Sequence, residues 1–60
     1  MERFRGLYDG EEDGTKFFIL YDTKTGTFYG RHNEDVCTKL VDKLNELDKI
    51  IKEMKKGVMP

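Results

Sequence analysis

Few side chains in this chain have the types and spacing that chemistry requires. Asp9, Glu11, Asp13 and Gly14 match positions 1, 3, 5 and 6 of an EF-hand calcium loop, where alternate carboxylates wrap the ion and glycine permits the turn. The pattern breaks at position 12, where Leu20 stands in place of a bidentate carboxylate, and the flanks read as strands. A solvated hairpin loop is therefore expected over Asp9 to Gly14. Cys37 and His32 are the sole thiol and imidazole. A helix N-terminus lowers a thiol pKa, but Cys37 falls on an apolar seam and the neighbouring Glu34 and Asp35 oppose a thiolate. Cys37 is expected to pack as a small hydrophobe, and His32 to lie in a loop near a helix start. One Cys and one His supply neither an internal disulfide nor a zinc site.

Two short motifs invite enzymatic readings. Lys24-Thr25-Gly26 resembles an element of penicillin-recognising enzymes, which need a serine nucleophile, and this chain has no serine. Asp22 to Thr27 resembles the phosphorylated loop of P-type ATPases, but Thr23 separates the aspartate from the lysine. A turn accounts for both, because Asp and Gly are what turn geometry selects. No catalytic, cofactor-binding or metal-ligating residue is assigned, no cofactor is expected, and the expectation is a protein that is not an enzyme.

Arg3, Arg5, Lys16, Lys24 and Arg31 are spread over the strand region among Tyr8, Tyr21 and Tyr29, which raises nucleic-acid contact as an alternative. The layout expected below is similar to plant AP2-type domains and the arm-binding domains of tyrosine integrases, which present a basic sheet face to the DNA major groove. Residues 1–33, however, carry five basic and six acidic side chains, and the whole chain has a formal net charge of -1. Such a balance disfavours phosphate contacts. No apolar stretch is long enough for a membrane span or signal peptide, so a cytoplasmic protein is expected.

The elements that would position these residues follow from periodicity. Alternation predicts strands over about 3–8, 15–22 and 27–31; the second is apolar on both faces (Phe17, Ile19 and Tyr21 against Phe18 and Leu20) and belongs in the middle of a sheet. Asp22 can accept turn amides, and Gly26 can take the left-handed conformation that closes the hairpin. Asn33 is a good N-cap, with Glu34 and Asp35 suited to a first helical turn. A helix is predicted over about 34–56, with Gly57 and Pro60 as its stop. The fold class is α+β: a three-stranded antiparallel meander followed by one long helix on one sheet face, in a single domain spanning 1–60.

Cys37, Leu40, Leu44, Leu47, Ile51, Met54 and Val58 recur at alternating three- and four-residue steps, a heptad seam. A helix of that length spans about 34 Å, against roughly 23 Å for a seven-residue strand, so its second half outruns the sheet. A 60-residue chain without a disulfide buries only about 60% of its unfolded surface and needs a further staple. One sheet face would also stay uncovered. Self-association as a homodimer, or a foreign protein partner, would meet both needs, with Phe18, Leu20, Leu47, Ile50, Ile51 and Met54 as the expected interface.

From Phe17 to Leu47 an aromatic strand, the run D-T-K-T-G-T-F-Y, an acidic helix start and L-V-D-K-L-N-E-L follow one another. That half of the chain resembles short ββα accessory proteins of phages and other mobile elements. The resemblance implies an interaction module, such as an inhibitor that binds a host protein, and assigns no site residue.

Overall fold

A computed structural model describes residues 2–58 as four elements: β1 (Phe4–Glu12), β2 (Thr15–Asp22), β3 (Thr27–Asn33) and α1 (Glu34–Val58). One antiparallel sheet in the order β1-β2-β3 carries α1 on one face, the β-β-β-α arrangement expected. The expected stop at Pro60 and the side chains of Lys56 and Val58 lie outside the described residues.

The first hairpin is tighter than the acidic composition suggests. β1 continues to Glu12, and the loop shrinks to Asp13 and Gly14, with φ of 49° and 78°. That Asp-Gly pair is the type I′ signature, whose twist matches the flanking strands. The extra length is absorbed by a bulge: register shifts between Tyr8 and Glu11, where Gly10 takes φ of 99°. The second hairpin follows expectation. Lys24 donates its backbone N–H to Asp22 Oδ1 at 2.9 Å, Gly26 donates to the Asp22 carbonyl at 2.8 Å, and Gly26 has φ of 73°. β3 runs two residues beyond the expected 31, ending at Asn33, whose Oδ1 caps the helix by accepting from the Val36 N–H at 2.9 Å. α1 continues through Gly57, since a glycine in the last turn costs a helix only about 1 kcal/mol.

Strand pairing sorts the two sheet faces. Phe4 opposite Asp22, Gly6 opposite Leu20 and Tyr8 opposite Phe18 share the helix-covered face. Cys37 packs down against Gly6, where an added Cβ would lie 3.0 Å from the Cys37 sulfur; the thiol is buried and its pKa is pushed up by desolvation. Phe18 meets Tyr8 edge-on and lines a cavity with Cys37, Thr38 and Val41. The expectation that Phe18 and Leu20 form an interface is therefore corrected: their face is the one the helix closes, and Leu20 is 3% exposed.

The opposite face carries Arg5, Leu7, Phe17, Ile19, Tyr21, Phe28 and Arg31. Part of it is shielded without a second layer, although Phe28 stays 60% exposed. The Arg31 guanidinium lies 4.1 Å from the Phe17 ring centroid and is held by Asp9 (2.7 Å) and Glu12 (3.2 Å), while Tyr21 stacks on Phe28 at 4.9 Å. Phe17, Ile19 and Tyr21 are consequently half-buried. The acidic bulge of β1 thus has a structural partner in Arg31, which explains carboxylates at Asp9 and Glu12.

Leu20 sits where β2 meets the helix, so Leu20→Ala should cost about 2–5 kcal/mol in urea unfolding. A loss under about 1 kcal/mol would show that the helix contributes little to the sheet.

Candidate functional site

The helix is fastened to the sheet by polar contacts as much as by its apolar seam. Thr23 donates its N–H and hydroxyl to the Arg3 carbonyl at 2.8 and 2.7 Å, which turns the N–H and C=O of Phe4 away from β2. Asn45 of α1 meets both: the Phe4 N–H donates to Asn45 Oδ1 at 2.7 Å, and Asn45 Nδ2 donates to the Phe4 carbonyl at 3.0 Å and to Glu2 at 2.9 Å.

One turn further, Asp48 accepts from Arg3 Nη1 at 3.2 Å and from Lys52 Nζ at 3.1 Å. The other edge of the Arg3 fork donates to Asp22, Nε to Oδ1 at 2.9 Å and Nη2 to Oδ2 at 2.8 Å. Asp22 is 0% exposed. Hydrogen bonding to Arg3 holds the Asp22 carboxyl well below the usual carboxylate range, and Asp22 in turn keeps the guanidinium more basic than usual. Asp48 is also lowered, first by Lys52. Among the described residues no buried side-chain polar atom lacks a partner.

These contacts set the roll of the helix. Cys37, Leu40, Val41, Leu44, Asn45 and Asp48 are the helix residues at least partly covered by the sheet, and every residue from Lys49 to Lys55 is exposed. At 100° per residue, seating Asn45 and Asp48 inward places Leu47 and Met54 on the flank, while Ile51, which falls between Leu40 and Leu44 around the helix, is exposed because it lies past the sheet. The result is an uncovered stripe: Leu47 is 46% exposed, Ile51 51% and Met54 62%, with Ile50 and Val36 alongside. Four of the six expected interface residues, Leu47, Ile50, Ile51 and Met54, are thus brought onto one accessible helix flank, whereas Phe18 and Leu20 lie under the helix.

The candidate nucleic-acid contacts are dispersed. Arg3 is turned to the helix side by Asp22 and Asp48 instead of sharing the open face with Arg5, and Arg31 is neutralised by Asp9 and Glu12. Arg5, Lys16 and Lys24 are exposed; Arg5 shares the open sheet face with Arg31, and Lys24 lies in the turn after β2. His32 donates to the Tyr29 carbonyl at 3.2 Å, a contact within its own strand. Among the described residues no group of three or more His, Cys, Asp or Glu is placed to hold a metal ion, and no helix is long and apolar enough to cross a membrane. Periodicity alone missed Asn45 and Asp48 as docking residues; the available signal was their position, four residues after Val41 and Leu44, on the seam's margin.

The depressed Asp22 and Asp48 carboxyls make stability pH-dependent. Their folded pKa values lie below the unfolded value near 4, so their contribution is present above about pH 4 and is lost as pH falls further. Asp22→Asn should be less stable than wild type at neutral pH in thermal unfolding, with a flatter decline in acid; parallel acid limbs would refute this role for Asp22. No protein-family model matches the chain, and comparison with curated proteins and with solved structures gives no match either.

Proposed function

We propose that this chain is a small non-enzymatic interaction and assembly module whose working surface is the free flank of α1. The observation that carries this reading is the contiguous exposure of Leu47, Ile50, Ile51 and Met54 on a helix whose base is fastened by Asn45 and Asp48. Because the helix backbone that carries them is already ordered, a partner covering these side chains has no backbone entropy of helix formation to offset.

The chain exposes more surface than a compact monomer of 7.1 kDa, 4843 Å² against about 4,100 Å², in keeping with a helix that extends past the sheet. The radius of gyration, 14.0 Å, likewise exceeds the roughly 10 Å of a compact 60-residue domain, as the projecting helix requires.

Replacing Leu47 and Ile51 together by Glu should leave the circular dichroism of the fold intact, since neither side chain is buried, and abolish assembly. Sedimentation of the purified chain over a range of concentrations, alone and added to native-host extract, reads the outcome. Identical distributions for wild type and the double variant would sink the proposal.

A further inference from the structure

We infer that the partner of this flank is a second copy of the same chain, its helix packed antiparallel with residues 36 and 54 of opposite copies at the same level. This inference rests on the reading of the flank as an assembly surface and adds the occupant and its direction.

The apolar flank is longer than the projecting half. Val36, Leu40, Leu47, Ile51 and Met54 lie within about 60° of one another around the helix, and Ile50 borders them. Val36 is exposed and Leu40 only half-buried, so the sheet-backed half of the helix offers apolar surface on the same flank as the projecting half. The stripe runs about 27 Å from Val36 to Met54. An antiparallel copy would lay each projecting half along the other's sheet-backed half, Met54 beside the partner's Val36 and Ile50 and Ile51 beside the partner's Leu40.

Charge selects the same arrangement. The margin of the stripe away from the sheet carries Lys39 and Lys43 in its first half and Glu46 and Glu53 in its second, all exposed. With residues 36 and 54 level, Lys43 comes opposite the partner's Glu46 and Lys39 opposite the partner's Glu53, each repeated by the twofold axis. A parallel pair would instead set this margin against the partner's other margin, where Asp48 is already engaged by Arg3 and Lys52.

Two charge-block variants test the inference. An acidic chain (Lys39→Glu, Lys43→Glu) and a basic chain (Glu46→Lys, Glu53→Lys) should each self-associate about tenfold more weakly than wild type and associate with each other when mixed. Sedimentation of wild type, each variant and the mixture reads this directly. A wild-type chain that stays monomeric alone but still enters stripe-dependent complexes in extract overturns the self-pairing while sparing the assembly reading, as does a mixture no better associated than its components. If either variant folds poorly, mixed Val36→Cys and Met54→Cys chains decide the matter: oxidation should link the two variants to each other, whereas Met54→Cys chains linking among themselves would mean a parallel pair.

Discussion

A fully buried carboxylate with a single guanidinium partner is the constraint on which this small fold depends. Removing Asp22 from water is costly unless its charge is met, and Arg3 meets it with two parallel hydrogen bonds. The same guanidinium reaches Asp48 on the helix. The residue preceding β1, the end of β2 and the middle of α1 are therefore tied at one point, in a chain whose apolar core is limited to a few side chains such as Phe4, Leu20 and Cys37. Such a junction is directional in a way that apolar packing is not, because a planar fork fits a carboxylate in few orientations.

Direction is what turns a simple sheet-and-helix layout into one with a usable surface. A helix docked by its seam alone would turn Leu47 toward the sheet. Docking through Asn45 and Asp48 rolls the seam sideways, so part of the chain's limited apolar surface stays outside. The open sheet face is handled differently: Arg31 and its two acids lie over Phe17, so that face is partly closed by the chain's own charges.

The parts of the fold legible in the sequence are those with local causes. The two-sided apolar run gives β2, Asp22 and Gly26 shape their turn, and Asn33 caps the helix; each depends on neighbours within a few residues. The Asp13-Gly14 turn carried its own signature but was obscured by the surrounding acids, whose partner, Arg31, lies about 20 residues away. Arg3 and Asp22 are likewise 19 residues apart, and nothing local pairs them. The projecting half of the seam could be anticipated from helix and strand lengths. Its sideways roll was harder to read, because a periodic pattern ranks residues by polarity and counts Asn45 and Asp48 as outward-facing although both sit on the seam's margin. Which sheet face the helix would choose was undetermined for a similar reason: β2 is apolar on both sides, and Gly6, which leaves room for Cys37, makes the difference.

The Asn45 amide has one more consequence. Its oxygen and nitrogen take the places that another strand's backbone would fill beside Phe4, so the outer edge of β1 is blocked at its start. On the far side of the sheet, the positive φ of Gly30 accompanies a break in the pairing between β2 and β3, which spoils β3 as a template for a further strand. Uncontrolled growth of the sheet into aggregates is thereby discouraged at both edges. The edges of the sheet are thus closed by two built-in devices, a side chain of α1 at β1 and an irregularity of the strand itself at β3, while the exposed apolar side chains of α1 from Leu47 to Met54 lie away from both edges.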